Sequence, residues 1–164
     1  MFATYRFRRA EAEDRARLLS LRPEAMAEGV MAGLDDHGVI EALIQEPAPD
    51  LDQLIVSGRY FVAEANGKVI AGAGWAPQDS LGDVAFIRGV VVHPGHCEAT
   101  LGRRLVEIAE DAAATSGYSL FLAPVPPAVA CLFEQLGYRA SGAVEIEMAA
   151  GHRLHCRKMW KHAA

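Results

Sequence analysis

Near the start of the chain, Tyr5 and Phe7 alternate with Arg6 and Arg8, the period of a half-exposed strand. Glu11, Glu13 and Asp14 then precede Ala16, Leu18, Leu19 and Leu21, and carboxylates in a first turn favour a helix start there, with Pro23 expected to end or kink it. Residues 26–37 carry Met26, Met31, Gly29, Gly33 and the pair Asp35-Asp36, which reads as a flexible connector or a broken helix. Helical spacing returns at Val39, Ile40, Leu43 and Ile44 and is stopped by Pro47 and Pro49, after which a short helical turn is predicted over 51–56.

The strongest hairpin signal lies between two apolar runs, 60–64 and 68–75, because Asn66-Gly67 supplies the positive φ angles of a two-residue turn. Gly72 and Gly74 weaken the second run's own packing and suit close approach by another element. Beyond a turn at Gly82-Asp83, residues 84–92 are apolar except Arg88, the pattern of a strand covered on both faces, and Gly89 within it suggests a bulge. A helix is predicted over 101–116, with Leu101, Leu105, Ile108 and Ala112 on one stripe and Arg104, Glu107, Glu110 and Asp111 elsewhere. A short buried strand over 118–123 should stop at Pro124, Pro126 and Pro127. Pro127 then suits the first position of a helix over 128–136, and Gly137 its stop. The tail, 138–161, reads as two strands broken near 149–151.

This order of strands and helices is that of an α/β (α+β) chain, and 164 residues suffice for one core and not two, so residues 1–164 are expected to form a single domain. A formal charge of -5 and a pI near 5.7 argue against nucleic acid, whose backbone needs a basic surface, and fit a small or cationic ligand. No apolar run reaches about 18 residues, so a membrane span is not expected. Cys97, Cys131 and Cys156 are odd in number and share no paired spacing, which favours a reducing compartment. With no apolar run after the charged N-terminus, a cytoplasmic protein is expected.

The chemistry concentrates at 85–105, where an apolar strand, a tight polar loop and a helix opening on Arg103-Arg104 follow one another. Cations in a first turn oppose the helix dipole by about 0.3–1 kcal/mol each unless an anion sits there. Strand, glycine-bearing loop and helix N-terminus describe a phosphate cradle. The two arginines can equally be solvent-exposed charges balanced by Glu107.

At this point the chain resembles the GCN5-related N-acetyltransferase (GNAT) family, whose acyl-CoA motif is Val-x-Pro-x-x-Arg/Gln-x-x-Gly-x-Gly/Ala after the fourth strand. Val92-His93-Pro94 matches its beginning and Leu101-Gly102-Arg103-Arg104-Leu105 its end, while Leu132-Phe133-Glu134-Gln135-Leu136-Gly137-Tyr138 is similar to the family's Phe-Tyr-x-x-x-Gly-Phe. The resemblance covers nearly the whole chain. It implies the acyl-CoA N-acyltransferase fold: a twisted, mostly antiparallel mixed sheet with helices on both faces. It further implies acetyl-CoA as co-substrate, its pantetheine paired to backbone at Val90, Val91 and Val92 and its pyrophosphate on amides at Cys97, Thr100, Leu101, Gly102 and Arg103. The fourth and fifth strands would splay so that the thioester meets the acceptor amine.

Departures from the pattern are as informative. Cys97 stands at the Arg/Gln position and Thr100 at the first glycine, with Glu98 and Ala99 between. Where many members carry a general-acid tyrosine there is Phe133; Pro126 and Phe86 replace the usual asparagine and carboxylate. Substitutes for acid or base are Glu64, Asp83, His93 and His96, against which stand plain readings as a solvated hairpin end, a turn residue and loop histidines. The resemblance makes Met26, Met31, Asp35 and Asp36 the acceptor wall, where carboxylates would favour a cationic amine; a surface loop is the other reading. His93-Pro94-Gly95-His96-Cys97 and His152-Arg153-Leu154-His155-Cys156 share a zinc-like spacing, but residues three apart on a strand face opposite ways, so no metal is expected. The expectation is an N-acetyltransferase of a small-molecule amine, with the C-terminal strand the place to look for a homodimer contact; a catalytically inactive acyl-CoA-binding or regulatory module is the alternative.

Overall fold

Asn66 and Gly67 turn the chain with φ of 52° and 76°, and the Ala65↔Lys68 pair on either side closes a two-residue hairpin between β2 (Tyr60–Ala65) and β3 (Lys68–Gln78). Around it the computed structural model describes residues 4–28, 49–78, 82–93, 95, 99–125, 130–147 and 153–163. The remaining strands are β1 (Tyr5–Arg9), β4 (Val84–Val92), β5 (Leu120–Val125), β6 (Arg139–Glu147) and β7 (Arg153–His162). They form one seven-stranded sheet in the order β1-β2-β3-β4-β5-β7-β6, antiparallel except where β4 meets β5. The C-terminal strand is therefore interior, paired on both sides, and the edge falls to β6.

Alternation along β2 divides the core. Tyr60 and Val62 face α1 (Arg15–Glu28) and α2 (Pro49–Val56), packing on Leu18, Leu21, Leu51, Leu54 and Ile55. Phe61, Ala63 and Ala65 face the other way, toward Leu101, Leu105, Val106 and Ala109 of α3 (Ala99–Thr115) and Phe133 of α4 (Ala130–Gln135). Helices thus cover both faces. Each buried leucine contributes about 1.5–3 kcal/mol through surface withdrawn from water.

Several local expectations change. α1 continues past Pro23 to Glu28, the missing N–H costing one helical bond and not the helix. β5 runs through Pro124 to Val125; beyond Leu122 it has no strand partner on its β4 side among the described residues, and proline is tolerated on such an edge. The buried stripe of α3 is Leu101, Leu105, Ala109 and Ala113, with Ile108 and Ala112 only half-buried. Glu110, expected on the outer face, is buried because Lys161 of β7 reaches it, Nζ to Oε1 at 3.0 Å. The connector after residue 28 and the predicted helix near 39–45 lie outside the described residues.

Candidate active site

Three rungs join β4 to β5: Val84↔Leu120, Ala85↔Phe121 and Phe86↔Leu122. Past them the strands share no further rung, while β4 continues to Val92 on β3 and β5 to Val125 on β7. Past Phe86, β4 therefore has no strand partner on its β5 side among the described residues, which makes a backbone edge there. Here the expectation of a strand covered on both faces fails, since Val90, Val91 and Val92 are only half-buried and Arg88 and Gly89 are exposed.

A bulge interrupts this stretch. Ala71↔Val92 and Gly72↔Val91 follow one register and Gly74↔Arg88 the next, so Gly89 and Val90 together oppose Ala73. Gly89 has φ 66°, a conformation that suits glycine. Its carbonyl accepts a 2.6 Å hydrogen bond from the Tyr60 hydroxyl. The close approach expected at Gly72 and Gly74 is also made by Tyr60, whose ring atoms come within 2.6 Å of where a Cβ would stand at either position.

After Val92 the His93 amide donates to Ile70 O at 2.7 Å, and its Nδ1 accepts from the Gly95 amide at 2.9 Å, which fixes the ring within the loop. His96, Cys97 and Glu98 lie outside the described residues. α3 then opens with Thr100 exposed, Leu101 and Gly102 buried and Arg103 half-buried. Arg104 pairs with Glu107 at 3.6 Å, whereas Arg103 has no carboxylate partner among the described residues. Thr100, Arg103, Arg104 and Glu107 line, with Tyr5 and Phe7 of β1, an open cavity of about 450 Å³.

The other sequence candidates scatter. Glu64 lies on β2 with its Oε1 held 2.6 Å from Arg8 Nη2, an ion pair that a proton acceptor would first have to break. Asp83 sits at the paired end of β4 and accepts from the Ser119 hydroxyl, which holds its carboxyl below the usual range. Met26 falls within α1, but its side chain, together with Met31, Asp35 and Asp36, lies outside the described residues. Phe133 is buried edge-on against Tyr138, ring centroids 5.1 Å apart. Burial and the Glu110 carboxylate raise the Tyr138 hydroxyl far above its ordinary value, so it holds its proton. His155 is exposed and His152 is outside the described residues; among those described, no three His, Cys, Asp or Glu side chains gather as a metal site. Tyr60 offered no chemical signature in the sequence, and its only trace was the pair of glycines opposite.

The sequence profile of the acetyltransferase (GNAT) family matches residues 30–138. Among solved structures, a GCN5-related N-acetyltransferase from Rhodopseudomonas palustris superposes with a TM-score of 0.81 at 20% identity, covering 99% of both chains. A phosphinothricin acetyltransferase from Sinorhizobium meliloti, solved with acetyl-CoA, gives 0.74 at 18% identity over 100% of this chain and 90% of its own. A putative acetyltransferase from Salmonella typhimurium, also solved with acetyl-CoA, gives 0.71 at 20% identity over 96% and 93%. No curated protein sequence matches the chain.

Proposed function

This chain belongs to the acetyltransferase (GNAT) family, and on that premise we propose that it is an acetyl-CoA-dependent N-acetyltransferase acting on the primary amine of a small molecule. One observation carries the reading: β4 and β5 part after Phe86↔Leu122, leaving a bulged backbone edge that leads toward the first turn of α3. An extended amide-bearing arm can pair with such an edge as a further strand would. Val90, Val91 and Val92 would hold the pantetheine, and Cys97, Thr100, Leu101, Gly102 and Arg103 the pyrophosphate. Half-buried Arg103, without a carboxylate partner among the described residues, suits a phosphate.

When bound, acetyl-CoA supplies a thioester open to attack. A backbone amide at Val91 or Val92 would polarise its carbonyl oxygen, a fixed dipole needing little reorganisation. The amine would attack as the neutral base, its proton leaving through water, because positioning supplies much of the rate and Phe133 has no proton to give. Of the substitutes, His93 and His96 stand nearest in sequence to the β4 edge, while Glu64 and Asp83 have the partners already described. Met26, Met31, Asp35 and Asp36 would form the acceptor wall, their two carboxylates favouring a cationic amine.

The reading takes residues 1–164 as one domain, supported by the single sheet that runs from β1 to β7. A cytoplasmic location fits the buried, unpaired Cys156. Among the described residues no helix is long and apolar enough to cross a membrane. A homodimer built by strand addition would use an edge strand, β6 or β1, since β7 is already paired on both sides.

Calorimetric titration with acetyl-CoA, followed by thiol release across polyamines, amino acids and aminoglycosides, tests the proposal. Binding with turnover of at least one cationic amine is expected. Binding without turnover would favour the inactive acyl-CoA-binding module, which buried Phe133 makes the second reading; absence of binding would overturn both.

A further inference from the structure

Tyr60 is 2% exposed and sits one strand away from β4, with β3 between them. Its ring crosses β3 through a gap made by missing side chains. A Cβ at Gly72 would stand 2.6 Å from its Cε1 and hydroxyl oxygen, one at Gly74 2.6 Å from Cδ2, and one at Gly89 2.9 Å from Cε2. Real Cβ atoms do not come so close, so the three glycines and the ring are parts of one fitting. The fitting ends in the 2.6 Å hydrogen bond to Gly89 O, at the residue whose positive φ begins the bulge. A bulge leaves a residue outside the ladder, and its direction must be fixed by something other than the neighbouring strand.

We infer that Tyr60 is a positioning residue for the acyl-CoA site: ring and hydroxyl together set the Gly89-Val90 bulge and thereby aim the backbone of Val90, Val91 and Val92 into the cleft. This rests on the acetyl-CoA reading above. The ring occupies the gap and limits how far Gly89 can move toward α1 and α2. The hydroxyl holds the Gly89 carbonyl and fixes the rotation of the Gly89-Val90 peptide. Amides aimed in advance bind without the cost of ordering them at the moment of binding.

Tyr60→Phe keeps the ring and removes the bond. Its acetyl-CoA dissociation constant should rise about two- to tenfold, the range of one lost hydrogen bond. Amide exchange in the ligand-free protein should quicken at Val90 and Val91 while that of α3 and β7 stays as in the wild type. Gly72→Ala is an independent route to the same end, because its methyl pushes the hydroxyl off Gly89 and leaves the tyrosine in place. A wild type that binds acetyl-CoA, with both variants folded and equal to it in affinity and in exchange at Val90 and Val91, would overturn the inference alone. A wild type that binds no acetyl-CoA would overturn the reading beneath it, and the two failures are thereby distinguished.

Discussion

Arg8 joins three elements through one guanidinium. Nη1 and Nη2 donate to Asp14 Oδ2 and Oδ1 at 2.7 and 2.9 Å, and Nε donates to Glu64 Oε1 at 2.7 Å, so β1, the turn before α1 and β2 share a single cation. Asp14 Oδ2 also accepts from the Glu11 amide at 2.7 Å. The Arg8 hydrogen bonds hold the Asp14 carboxyl below its ordinary value, with burial opposing them. A carboxyl depressed in the folded state contributes stability that is complete above its unfolded pKa, about 3.9, and lost as pH falls through the lower folded value. Asp14→Asn should therefore lower the urea midpoint at pH 7, and the gap from wild type should close as pH drops below about 4. A gap of equal size at pH 7 and pH 3 would show that the charge on Asp14 does not matter. At the same scale, the Glu64 carboxylate belongs to this cluster, and no catalytic duty is needed to explain it.

Between elements, the Lys161–Glu110 pair pins the middle of α3 to the end of β7, 51 residues away in sequence. Glu110 is buried and its Oε2 has no hydrogen-bond partner among the described residues, while Lys161 keeps about a quarter of its side chain in solvent. Removing the cation alone leaves a buried carboxylate unpaired, so Lys161→Met should cost about 2 kcal/mol, less than a fully buried pair would lose. Adding Glu110→Met should recover most of that loss, since apolar residues of similar volume often replace such pairs without penalty. Chemical denaturation of the two single variants and the double variant reads the coupling; simple additivity would count against it. This pair also marks a limit of sequence reading. Helical periodicity placed Glu110 off the buried stripe, and nothing local announces a lysine arriving from the last strand. Where structure is set within a few residues, the sequence was plain: the Asn66-Gly67 turn, the Gly89 bulge and the Gly137 stop, at φ 95°, all stand where turn chemistry puts them. Pro23 and Pro124 misled because their tolerance depends on bonds that neighbours do or do not require.

Over the whole molecule, strand order is what opens the site. The motif residues entered through the family resemblance, but the insertion of β7 between β5 and β6 was not legible, because pairing partners so distant in sequence leave no periodic trace. That insertion holds β5 from its far side, so β5 keeps a full ladder after it leaves β4, and the cleft can stay open without an unpaired strand beside it. A ligand taken up along the β4 edge and the start of α3 should stabilise the fold by mass action, by about 2.7 kcal/mol at one hundred times its dissociation constant. For a chain of this size that is a rise in Tm of about 5–10 °C. Acetyl-CoA should produce this shift, and slowed amide exchange should concentrate at 87–92 and 99–104, with β6 little changed. The net charge of -5 sets a second condition: an anionic ligand must be drawn in by local donors such as Arg103, and added salt should weaken the shift as it screens them. A Tm that rises equally with free adenine nucleotide and with acetyl-CoA, and protection confined to the α3 start, would mean that the β4 edge takes no part in binding.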